Sequence, residues 1–132
     1  MTSLIGPDDA IDTSIDPTGS VDYEGELGVV ISKTARRVSK NDWQEYVFGE
    51  VINNDLTSRE LQKKHNQWFL GKSLDSFAPL GPAIISADAI PEITDATIST
   101  LVNGELRQKA KIADLIFDIP TLMETLTATM TL

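Results

Sequence analysis

Asp22–Ser32, DYEGELGVVIS, is the stretch on which the fold class turns. Polar and apolar residues alternate at its start, and it closes on the β-branched run Val29-Val30-Ile31, the pattern of a strand entering a buried sheet. One strand is expected across the segment. Working outward, Val51–Asn54 (VINN) predicts a second buried strand that ends at Asp55. Thr97–Val102 and Glu105–Lys111 flank Asn103-Gly104, and Asn-Gly between two alternating segments is the strongest short-range hairpin signal. The expected class is therefore α+β and rich in strands.

The helices expected between these strands are short. Ser39 can cap one, with Asp42 in its first turn, Trp43, Tyr46 and Val47 at helical spacing, and Gly49 as its terminator. Thr57 can cap a more polar helix running through Glu60, Leu61 and Gln62. Asp118 can cap a third, with Pro120 in its first turn and Leu122, Met123 and Leu126 along one face. Met1–Ser20 reads as a lead-in loop with one short strand at Ser3–Ile5, and Gln67–Pro82 (QWFLGKSLDSFAPLGP) as a structured loop. With no repeat, low-complexity tract or interior linker, residues 1–132 are expected to form a single domain.

Composition excludes several function classes. A chain of 132 residues can bury roughly two thirds of its unfolded surface, enough for one core. Its 41% hydrophobic and 23% charged content is ordinary globular usage. A net charge of -9 and a pI near 4.4 repel phosphates and anionic lipid, so neither nucleic acid nor a membrane surface is an expected partner. The basic run Lys33, Arg36, Arg37 and Lys40 reads as a solvated face. Without cysteine there are no disulfides, thiolate nucleophiles or sulfur-ligated metals, and any ion must be held by oxygen or by His65. No run approaches the roughly eighteen apolar residues of a membrane span, and Met1–Pro7 lacks a signal-peptide pattern, so a cytoplasmic location is expected.

Glu24 and Glu26 lie two apart in the predicted strand, so their carboxylates leave one face and can converge. A divalent cation would relieve their repulsion, and an all-oxygen donor set favours magnesium, manganese or calcium over zinc. The other reading is that both line the solvent side of an edge strand. Asp55, between a buried-looking strand and a helix, is either a third ligand or a turn residue. Arg59 and Gln62, three apart on one helix face, and Lys72 in Gly71-Lys72-Ser73 are candidates for gripping an anionic substrate. That loop is not a phosphate loop, because Asn66 stands where the earlier glycine is required. His65, in the polar stretch Lys63–Asn66, reads as a surface histidine rather than a base.

In this order, DYEGELGVV (Asp22–Val30), NDLTSRELQ (Asn54–Gln62), QWFLGKSLDSFAPLGP (Gln67–Pro82) and LVNGELRQ (Leu101–Gln108) resemble the fumarylacetoacetate hydrolase family across nearly the whole chain. The resemblance implies a mixed β-sandwich roll with short helices, commonly dimeric. It implies Glu24, Glu26 and Asp55 as ligands of magnesium or manganese. It also implies Arg59, Gln62 and Lys72 as catalytic and substrate-binding groups for the carboxylate and the developing enolate. The leading implied activity is hydrolysis of a C–C bond in an acylpyruvate-like 2-oxo acid. Decarboxylation, isomerisation or dehydration on the same platform is the alternative, and a non-catalytic metal-binding fragment is a third reading. Two departures stand at the ends: the family's Lys-Pro stretch and its lid with a histidine, and its later Gly-Asp strand and Gly-Thr-Pro loop, are not in this sequence. The expectation is the central part of a family domain whose exposed sheet edges favour association with another chain.

Overall fold

The alternating segment that begins at Asp22 makes two ladders instead of one. In the computed structural model, which describes residues 2–90 and 92–132 without the side chain of His65, β1 (Leu4–Ile5) precedes β2 (Val21–Asp22) and β3 (Gly25–Ile31). The expected single strand is thus corrected. Tyr23 and Glu24 leave the ladder because β2 pairs with β5 (Thr57–Ser58) whereas β3 pairs with β4 (Val47–Asn54), so the chain changes partner between them. Placement of His65 as a surface residue falls outside the described residues.

The helix expected from Ser39 is also corrected. It shrinks to one 3-10 turn, Trp43–Tyr46, and β4 begins at Val47. Gly49 ends no helix. It sits inside β4 opposite Ser86 of β7 (Ile85–Ser86), where an added Cβ would stand 2.0 Å from the Ile85 carbonyl oxygen. Only glycine allows these backbones to approach so closely. The capping role expected of Thr57 is also corrected: Ser58 holds the N-cap position of α1 (Arg59–His65), and its hydroxyl makes no capping bond but donates to Asp16. Thr57 and Ser58 instead form β5, fully buried.

The Gln67–Pro82 segment is structured as expected. It contains α2 (Phe69–Lys72) and β6 (Ala78–Pro79), and β6 pairs in parallel with β1. Farther on, β8 (Thr97–Val102) and β9 (Glu105–Lys111) form the Asn-Gly hairpin, with Asn103 at φ 52 and Gly104 at φ 81. Two successive residues at positive φ are what a turn matched to strand twist demands. In α3 (Ile119–Thr129), the Asp118 side chain accepts from Thr121 N at 2.9 Å. Its buried stripe is Ile119, Met123 and Thr127, spaced by four, while Leu122 and Leu126 of the expected face are exposed. Among the described residues, nine strands and few short helices make this a β-rich α+β chain. No helix among them is long and apolar enough to cross a membrane.

By backbone contacts the chain divides into Met1–Leu27 with Val51–Ala83, and Gly28–Glu50 with Ile84–Leu132. The second unit buries Ala35, Val38, Val47, Ile112, Ile119 and Met123. There Thr127 ties α3 to the segment around Val38, its hydroxyl accepting from Val38 N at 2.9 Å and donating to Met123 O at 2.7 Å. The first unit buries Val51, Leu56 and Phe77 and carries every candidate site residue.

One buried carboxylate braces that first unit. Asp16, only 5% exposed, accepts from Thr18 N (3.0 Å), Thr18 Oγ1 (2.7 Å), Ser20 N (2.8 Å) and Ser58 Oγ (2.9 Å). Burial acts to raise its pKa, but these donors outweigh burial and hold it at about 2, below the usual 3.8. A carboxyl depressed in the folded state contributes stability above its unfolded pKa, and that contribution fades as pH falls through the folded value. Asp16→Asn is expected to cost on the order of 2 kcal/mol at pH 7. In denaturant titrations its deficit against the wild type should close between about pH 4 and pH 2. An equal deficit at both pH values would show that Asp16 does not titrate in this way.

Candidate metal centre

The break between β2 and β3 builds the site. Glu24, freed from both ladders, donates its N–H to Asn54 Oδ1 at 3.1 Å and accepts from Asp55 N at 2.8 Å. The backbone of Glu24 is thereby fastened to the end of β4, which brings the Asp55 side chain beside it. Glu26 follows in β3. Glu24, Glu26 and Asp55 each offer an oxygen within 4.8 Å of the others. The convergence expected of Glu24 and Glu26 is therefore met, although the two do not share a strand.

Two cations lie against these carboxylates. Lys72 Nζ reaches Asp55 Oδ2 (2.5 Å), Glu24 Oε2 (2.7 Å) and Thr57 Oγ1 (3.0 Å). Arg59 Nη1 reaches Glu24 Oε1 at 2.6 Å and Gln62 Oε1 at 3.4 Å. Its Nε and Nη2 reach Asp22 Oδ2 at 2.9 and 2.8 Å. The structure thus brings Arg59, Gln62 and Lys72 to the acidic group, with both cations engaged by carboxylates. Asp22 and Asn54 are members to which sequence reading gives no role, and Thr57 one that it reads only as a helix cap. The two-residue spacing of Asp22 and Glu24 was one available signal, but nothing local links either to Arg59.

Lys72 owes its place to the residue before it. Gly71 is buried where α2 meets α1, and a Cβ there would stand 2.8 Å from Gln62 N and 2.9 Å from Gln62 Cα. Those are backbone atoms that cannot swing aside. Glycine at 71 therefore sets how closely Gln62 and Lys72 approach the cluster.

The electrostatics follow from the pairing. Burial raises the Glu24 pKa, but the hydrogen bonds and charges of Lys72 and Arg59 outweigh it, so Glu24 is held below the usual range. For Lys72, burial pulls the pKa down, while Asp55 and Glu24 push it further up, with a net rise. Glu26 has no cation of its own. It is exposed as a residue, yet desolvation of its carboxyl group, followed by the charge of Asp55, raises its pKa. From the described residues its carboxylate receives a long 3.5 Å contact from Asn53 Nδ2. Among the described residues, four carboxylates (Asp22, Glu24, Glu26, Asp55) meet two cationic heads (Arg59, Lys72), leaving a formal surplus of two negative charges. An all-oxygen donor set with that surplus fits one hard divalent cation held by Glu24, Glu26 and Asp55.

Known proteins share this chain's sequence pattern and fold. The fumarylacetoacetate (FAA) hydrolase C-terminal family model matches residues 1–132. Oxaloacetate tautomerase YisK of Bacillus subtilis is 47% identical over 130 residues, 98% of this chain and 43% of that protein. The structure of fumarylacetoacetate hydrolase from Exiguobacterium antarcticum superposes with a TM-score of 0.95 at 44% identity, covering 99% of this chain and 47% of that one. 5-Carboxymethyl-2-hydroxymuconate delta-isomerase from Mycobacterium smegmatis gives 0.89 at 36% identity, covering 99% and 51%. The chain spans about half the length of these relatives.

Gly71→Ala is expected to lower stability by about 1–3 kcal/mol, because the added methyl must push α2 from α1. Urea unfolding of the two proteins measures this. A change within about 0.3 kcal/mol would show that the helices do not pack as closely as described.

Proposed function

The chain belongs to the fumarylacetoacetate hydrolase family, and from that premise we propose that it carries the divalent-cation site of an enzyme that enolises small anionic 2-oxo acids. The observation that carries this reading is the convergence of Glu24, Glu26 and Asp55 with Lys72 bonded to two of them. Magnesium or manganese is the proposed ion, and calcium is compatible with the same donors. When bound, the cation would supply Lewis acidity toward developing negative charge.

The chain's own residues do the rest. Lys72, its pKa raised by its acidic partners, keeps its proton at neutral pH. It therefore acts as a fixed positive charge beside the growing enolate and not as a base. Thr57 is fully buried and fixes the direction of Nζ through its hydroxyl. Gln62 accepts from Arg59 through Oε1 and so turns its amide donor toward an anionic oxygen of the substrate.

Tautomerisation or isomerisation moves a proton off the substrate carbon and back through an enolate, and hydrolysis activates a water as well, so each needs a proton acceptor beside the stabilised enolate. Among the described residues of the cluster, Asp22, Glu24 and Asp55 are engaged by cations and Glu26 is a proposed ligand, which bears equally on both reactions. Enolisation, the step that stabilised negative charge serves in either case, is the first reading, in keeping with the relative named as an oxaloacetate tautomerase. The relative named as a hydrolase, at 44% identity, favours C–C bond hydrolysis as the second reading.

The test is keto–enol interconversion of oxaloacetate, and cleavage of acetylpyruvate, by this chain with and without manganese. Manganese-dependent interconversion that falls at least about a hundredfold in Asp55→Ala supports the proposal. Cleavage of acetylpyruvate as the main reaction would favour hydrolysis. Manganese binding with neither reaction would identify a metal-binding piece without activity.

A further inference from the structure

Arg59 spends most of its fork on its own chain, which asks what the guanidinium is for. Its position follows from the β2–β5 ladder, where Asp22 stands opposite Thr57 and Arg59 N continues the pairing with a bond to Ser20 O at 3.1 Å. Arg59 is then the diagonal neighbour of Asp22, within reach of a long side chain. One oxygen of Asp22 receives both Nε and Nη2, and the remaining arm, Nη1, is left to meet Glu24. The planar fork fixes both contacts in one orientation, whereas an ammonium is a point charge without that fixed geometry.

Glu24 is where that orientation matters. It lies outside any strand, its backbone fastened to Asn54 and Asp55, while its carboxylate torsions are set by Arg59 on one oxygen and Lys72 on the other. From this relay we infer that Asp22 is a positioning residue for the metal centre: it holds the Arg59 guanidinium, which holds the Glu24 carboxylate in its ligating direction. This rests on the proposed metal site and extends it to a residue that touches neither ion nor substrate. Partners that orient a ligand typically change metal affinity about tenfold to a hundredfold when removed. As a half-exposed ion pair, Asp22–Arg59 adds little to folding by itself, so the two effects separate.

Calorimetric titration of the full chain with manganese tests the relay in wild type, Asp22→Asn, Arg59→Ala and the double variant, each with its unfolding midpoint. Asp22→Asn is expected to weaken manganese about tenfold with the midpoint nearly unchanged. The double variant should bind no more weakly than Arg59→Ala alone, because Asp22 acts only through Arg59. If Arg59→Ala does not fold, Arg59→Lys serves as the background, since it keeps the charge and loses the fork. Wild-type affinity in Asp22→Asn, or losses that multiply in the double variant, overturns the relay while leaving the metal site standing. A wild type that takes up no manganese overturns both.

Discussion

The carboxylate of Glu24 is the interaction on which the site depends. One oxygen accepts from Arg59 and the other from Lys72, so helix α1 and helix α2 are both tied to a residue that belongs to neither of two adjoining ladders. Had Asp22–Ser32 formed one continuous strand, Glu24 would have followed the regular register, without the bonds that fasten it to Asn54 and Asp55. The change of strand partner at Tyr23 and Glu24 converts a sheet edge into a cluster.

Gathering four carboxylates is costly unless something opposes their repulsion. Arg59 and Lys72 oppose half of it. The remainder falls on Glu26, whose carboxyl pKa is raised first by desolvation and then by the charge of Asp55. A divalent cation at the proposed site would offset this imbalance, and the chemistry proposed for the family platform follows from placing that charge next to a protonated Lys72.

Much of this was legible in the sequence, for physical reasons that differ by element. The Asn103-Gly104 hairpin was readable because positive φ at two successive positions is a local demand that few residues meet. The Asp118 cap was readable for the same kind of local reason. Gly49 misled, since a glycine that ends a helix and one that admits a neighbouring strand look alike without the neighbour. Glu24, Glu26, Asp55, Arg59, Gln62 and Lys72 were legible as candidates from spacing and from family resemblance. The partnership of Asp22 with Arg59 was not, because it depends on the register of a two-residue ladder between segments far apart in the chain. Thr57 read as a cap when its hydroxyl serves Lys72.

The most direct test of the account is to count the manganese ions bound per chain by electron paramagnetic resonance, in wild type, Glu26→Gln and Asp55→Asn. The geometry predicts one saturable site per chain, with affinity weakened at least about tenfold by either substitution. Saturable binding indifferent to both substitutions, or no saturable binding at all, would contradict the claim that these carboxylates form the metal centre.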